Sequence, residues 1–149
     1  MDKYFQKEIE ANRMLGPFKS NPLSRPLAIS PLNTVPKRDS DKRRVIADLS
    51  FPPCTSVNAG IDKNVYLDQE VSLSYPSVDT LASHLIHWGP SALMFKRDLA
   101  HAYRQFMLDP ADISFVGYSW RDNIFIDLAL VMGSRSATHI CQRITFHCH

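Results

Sequence analysis

The sequence is poor in the residues and runs that mark several protein classes. Its three cysteines, Cys54, Cys141 and Cys148, are an odd number with no paired spacing, so they supply no disulfide framework. A reducing, intracellular setting is expected on that basis, with nucleus and cytoplasm both open. No apolar run is long enough to cross a bilayer, so no membrane partner is expected. The opening residues, Met1 to Tyr4, lead into no apolar core of the kind a secretion signal needs. There is no internal repeat and no low-complexity tract. The net charge is only +2, too small by itself to argue for a nucleic-acid partner.

What is present suffices for a folded domain. A chain of 149 residues can bury roughly two-thirds of its unfolded surface. A hydrophobic content of 44% with 21% charged residues is ordinary for a globular protein. The charge is unevenly placed. Lys37, Arg38, Lys42, Arg43 and Arg44 crowd into one stretch together with Asp39 and Asp41. A turn at Asp39-Ser40-Asp41, where short polar side chains bond their own backbone, and a strand over 44–49 predict a hairpin tipped with cations. Two readings are open: a solvated basic loop, or a flap that grips phosphate through Lys point charges and Arg forks.

The remaining elements follow from spacing. A helix is expected over residues 2–15, with Tyr4, Phe5, Ile9, Ala11 and Met14 as a loose apolar face and Gly16-Pro17 as its stop. Pro17, Pro22, Pro26, Pro31 and Pro36 exclude a long helix and predict an extended surface segment. Within it, Leu27 to Ile29 and Leu32 are expected to pair briefly with a neighbour. Residues 51–76 read as loop. Ser77 is a fitting N-cap for a helix that places Val78, Leu81, Ala82, Leu85 and Ile86 on one face and ends at Gly89-Pro90. His84 and His87, one turn apart, are either a metal pair short of a third ligand or exposed polar-face histidines.

Next, the apolar run Ala92 to Phe95 reads as a strand buried on both sides. It runs into Lys96, Arg97 and then Asp98. An acid just beyond such a strand lies where open α/β sheets hold their ligands; the bland alternative is that Asp98 caps the following turn. Residues 108–112 read as a turn. Strands are expected over 115–120 and 124–128, joined by Arg121-Asp122-Asn123 with Asn123 suited to positive φ. A helix over 134–146 would put Ala137, Ile140, Cys141 and Ile144 inward. Cys141, His147, Cys148 and His149 form a Cys/His group that lacks the Cys-x-x-Cys pair of a zinc site.

Taken in order, these blocks resemble the reverse transcriptase domain of DIRS-like, tyrosine-recombinase retrotransposons. The resemblance runs from about Ile9 to Thr145. It is carried by Gly16-Pro17-Phe18, Ser30-Pro31-Leu32, Val35-Pro36-Lys37, Arg44-Val45-Ile46, Asp48 through Pro53, Ser56 through Ile61, Tyr75 through Asp79, Lys96 through Gln105, Asp109-Pro110, Met132 through Ala137 and Ile140 through Thr145. It implies an α+β fold, the fingers and the first part of the palm of a right-hand polymerase. Residues 1–90 would form the fingers-like region and 91–149 a partial palm.

The same resemblance implies roles. Lys37 and Arg44 would hold the triphosphate of an incoming dNTP. Asp98 would be the first catalytic carboxylate and, with the Leu99 carbonyl, a ligand of Mg²⁺ or Mn²⁺. Tyr103 would lie under the deoxyribose, and Met132 and Gly133 would face the template and the new base pair. The partners implied are an RNA or DNA template-primer and dNTP. Template-directed nucleotidyl transfer through two ions needs further carboxylates, which the family carries in a Tyr-x-Asp-Asp motif. The sequence reaches His149 without that motif and holds no Asp-Asp pair. The expectation is therefore a polymerase fragment inactive by itself. The rival readings are a non-catalytic nucleic-acid binder, using the basic hairpin with Trp88, Tyr103 and Trp120, and a decayed reading frame that folds poorly.

Overall fold

The computed structural model describes residues 1–38 and 41–147. It is a small mixed α/β domain. Its central sheet has three antiparallel strands in the order β1 (Met14–Phe18), β7 (Asn123–Asp127), β6 (Gly117–Trp120). Two ribbons stand apart from it: β2 (Leu32–Pro36) with β3 (Arg43–Ala47), and the short pair β4 (Val65–Tyr66) with β5 (Gln69–Glu70). The helices are α1 (Asp2–Glu10), α2 (Val78–Trp88) and α3 (Ala137–His147).

The first helix is shorter than its periodicity predicts. It ends at Glu10, and Asn12 at φ 54° turns the chain back. Met14 therefore belongs to β1, paired with Asp127, instead of to the helix. Gly16 is no helix cap; it lies inside β1 at φ 128°. A Cβ there would meet the Phe125 ring at 2.8 Å and the Ile124 carbonyl at 2.9 Å, so only glycine lets β1 approach β7. The reward is a stacked pair, Phe5 on Phe125 with ring centroids 4.0 Å apart, worth about 0.5–1.5 kcal/mol beyond its buried area. Phe5, Met14, Tyr118 and Phe125 form one core cluster. Leu49, Val116 and Val131 form a second.

The proline-rich segment is extended as expected. Its middle docks on the sheet through Ala28 and Ser30, which exchange backbone hydrogen bonds with Ser114 and Gly117. The β6–β7 hairpin also forms, but Arg121 and Asp122 take the positive φ values, 47° and 59°. Asn123 instead opens β7 and donates its side-chain amide to the Arg121 carbonyl. Asp109 makes the expected turn by accepting from the Ala111 amide.

One expectation fails on burial, and one helix that forms as expected is left uncovered. α2 forms with its Ser77 cap and its Gly89 stop, yet none of its residues is buried, and Val78 and Ile86 are more than 80% exposed. Residues 92–99 form no strand, and Leu93 and Phe95 are 95% and 86% exposed. An apolar run becomes a buried strand only where partner strands cover it. Among the described residues none pairs with this run.

Candidate functional site

The β2–β3 ribbon sorts the basic stretch by face. Val35 pairs with Arg44 and Pro36 with Arg43. The Lys37 amide donates to the Lys42 carbonyl at 2.9 Å, which carries the register one step further. Residues opposite one another share a face and alternate along each strand. Lys37, Lys42 and Arg44 thus share one exposed face. Arg43 lies on the other, pinned to Thr34 by bonds of 2.7 Å to its hydroxyl and 2.8 Å to its carbonyl. Leu32 and Ala47, at the base of that second face, pack on the first core cluster. Asp39 and Ser40, in the expected turn, lie outside the described residues.

Gly133 comes to the same base. A Cβ built on it would lie 3.5 Å from the Ala47 carbonyl, at the end of β3. It is fastened by Asn58, a buried side chain that sequence reasoning passed over as loop. Asn58 donates to the Gly133 carbonyl and to Ser50 Oγ, both at 2.9 Å, and accepts from the Arg135 amide at 2.9 Å. Met132 beside it is exposed. The structure therefore brings the Met132–Gly133 segment and the basic ribbon to one end of the second core.

Asp98 and Leu99 are exposed on the irregular segment 92–99. Asp98 does not extend a buried strand, and the following 3₁₀ turn, Ala102–Gln105, has His101 as its N-cap residue, so Asp98 is not that turn's cap either. Tyr103 is half-buried on this turn. Arg104, its neighbour, points inward. It donates to Asp127 Oδ1 at 2.6 Å, to Glu8 Oε2 at 2.8 Å and to the Ala129 carbonyl at 3.3 Å. Arg13 grips the same Glu8 at 2.8 Å, and the Tyr118 hydroxyl donates to Asp127 Oδ2 at 3.1 Å. Asp127 is only 1% exposed.

The electrostatics follow from that burial. Burial pushes the Asp127 carboxyl above its ordinary value, and the Arg104 charge restrains the shift. Burial acts the same way on Glu8, but the hydrogen bonds from Arg13 and Arg104 outweigh it and hold this carboxyl below its ordinary value. Burial and then the Asp127 charge push the Tyr4 hydroxyl up to about 12. Nothing in the local pattern announced this lattice. An arginine at position 104 and an acid in a strand look like surface residues, and Glu8 and Arg104 are 96 positions apart.

Trp120, one of the rings expected to meet bases, donates its indole N–H to Asp2 at 2.7 Å and packs on the first core cluster, while Trp88 is exposed. His84 stacks on Trp88. Among the described residues no group of three His, Cys, Asp or Glu side chains is placed to hold a metal ion. Cys148 and His149 lie outside the described residues. No helix is long and apolar enough to cross a membrane, among the residues described. Neither a protein-family model nor a curated protein matches this chain.

Proposed function

We propose that this chain is the fingers and first palm portion of an RNA-directed DNA polymerase, able to hold nucleic acid and dNTP but not to join nucleotides by itself. The observation that supports it best is the exposed face carrying Lys37, Lys42 and Arg44, on a ribbon whose base lies close to the Gly133 segment. Three cations on one face of an antiparallel ribbon suit a triphosphate or a phosphate backbone, which lysine meets as a point charge and arginine as a fork. Asp98 and the Leu99 carbonyl are hard oxygen donors. With substrate phosphates and water they are the kind of set that takes Mg²⁺, which when bound offsets charge on a phosphoryl group. One carboxylate is too few to hold two metal ions, and among the described residues no group of three His, Cys, Asp or Glu side chains is placed to do so.

The extensive apolar exposure of α2 and of residues 92–99 fits a palm that needs additional strands to cover it. Binding to a labelled primer-template, followed by fluorescence anisotropy over a salt series, tests the reading. Lys37→Ala with Arg44→Ala is expected to weaken binding and to flatten the salt slope by about two ion equivalents. Primer extension is expected to stay at background. Salt-independent binding, or binding indifferent to both substitutions, refutes the proposal.

A further inference from the structure

We propose that Arg104 is the positioning residue for Tyr103: its buried, forked anchorage sets where the tyrosine ring stands, and thereby how strictly the site separates deoxyribo- from ribonucleotides. This rests on the polymerase reading above and names the residue behind that site's sugar selectivity.

The chain on the two sides of Tyr103 is held very differently. Before it, residues 92–99 have no regular structure and are largely exposed. After it, the backbone is tied to the end of β7: Leu130 donates to Phe106, Leu108 donates to Leu128, and Met107 bridges Ala129. Tyr103 stands at the border, on a single 3₁₀ turn. Within that turn, the Arg104 amide donates to His101 at 2.8 Å, and Gln105 closes back on the Ala100 carbonyl at 2.8 Å. These bonds shape the turn but do not fix it to the sheet.

Arg104 adds a tie from within the turn, beside the Phe106–Leu130 bond at its end. Its guanidinium spans two carboxylates from separate elements, Glu8 of α1 and Asp127 of β7, and its side chain is 14% exposed. Consecutive residues of a 3₁₀ turn project about 120° apart, so driving Arg104 inward directs Tyr103 to a different side. Lysine cannot substitute, because one ammonium does not present the planar fork that reaches both acids. Selection by steric exclusion depends on a small distance. A shift of roughly 1 Å at a positioning contact can change a rate or affinity by a hundredfold.

The test measures binding of dATP and ATP, each with Mg²⁺, to the full chain by isothermal calorimetry. The variants are Arg104→Lys, Glu8→Gln, Asp127→Asn and Lys37→Ala. Circular dichroism identifies which of them fold. The wild-type chain is expected to favour dATP. Folded Arg104→Lys is expected to lower the dATP-to-ATP ratio by roughly tenfold with dATP affinity nearly kept. Lys37→Ala should weaken both nucleotides and leave the ratio alone. Should Arg104→Lys fail to fold, Glu8→Gln and Asp127→Asn, which keep an acceptor oxygen, are expected to lower the ratio in part. A ratio unchanged in every folded variant of the anchor overturns this inference and leaves the polymerase reading standing. Absence of nucleotide binding by the wild type overturns both.

Discussion

Replacing Arg104 by methionine should be among the most damaging single changes in this protein, and its consequences can be worked through from the contacts. Methionine fills much of the same space but donates nothing. Among the described residues, Asp127 would keep only the Tyr118 hydroxyl at 3.1 Å and the Ala129 amide at 3.4 Å, in a site where it is 1% exposed. Glu8 would keep Arg13. Removing one partner of a buried ion pair costs about 3–5 kcal/mol, chiefly because the other charge stays buried. At about 2–4 °C per kcal/mol for a chain of this size, the melting temperature should fall by roughly 6–20 °C. The sign of a second change discriminates the cause. Asp127→Asn should destabilise the wild type, since it weakens the bonds to Arg104. In the Arg104→Met background it should stabilise, by about 1–3 kcal/mol, since it removes the stranded charge.

The pH dependence gives the same test independently. Burial already raises Asp127, and loss of Arg104 removes the charge that restrains it. A carboxyl raised in the folded state contributes its stability below its unfolded pKa and loses it as pH rises through the folded one. The Arg104→Met defect should therefore shrink on acidification from neutral pH. Urea denaturation of the four variants of the cycle at two pH values reads all of this. A loss under about 1 kcal/mol, or strict additivity with Asp127→Asn, would refute the picture of a charge lattice holding the turn to the sheet.

Glu8 carries the opposite sign: its carboxyl is held below its ordinary 4.5, so its contribution is present above that value and is lost as pH falls through the folded pKa. Glu8→Gln is accordingly expected to shallow the decline in urea midpoint between pH 5 and pH 3; an unchanged slope would show that the Arg13 and Arg104 bonds are not made in solution. Asn58→Ala should cost about 1–3 kcal/mol by stranding the Gly133 carbonyl and the Arg135 amide, and hydrogen exchange at Arg135 should speed up selectively. Protection retained there would mean that the loop is held by other contacts.

The burial of α2 and of residues 92–99 is where sequence and structure part most clearly. Both carry the apolar pattern of core elements, and α2 has the caps of a well-specified helix, Ser77 accepting from the Thr80 amide at 3.1 Å. Pattern reports which face can be buried, not whether anything is there to bury it. The site residues divide in the same way. The clustering of Lys37 and Arg44 is a short-range fact, visible from spacing and a turn. That Arg43 turns away to Thr34, while Lys37, Lys42 and Arg44 share a face, depends on a register that a one-residue slip would invert.

By itself the sequence determined the pieces whose causes are local: the β2–β3 and β6–β7 hairpins, the capped α2, the Asp109 turn, and the extended course imposed by the prolines. Each is a matter of backbone preference and side-chain reach over a few residues. Only the tertiary structure decided that Met14 leaves its helix for a strand, that Asn58 fastens Gly133 from 75 positions away, and that Glu8 and Asp127 meet on Arg104. These depend on desolvation. A charged or amide side chain is costly to bury unless its partners arrive from elsewhere in the chain, and no periodicity encodes which distant residues will arrive together.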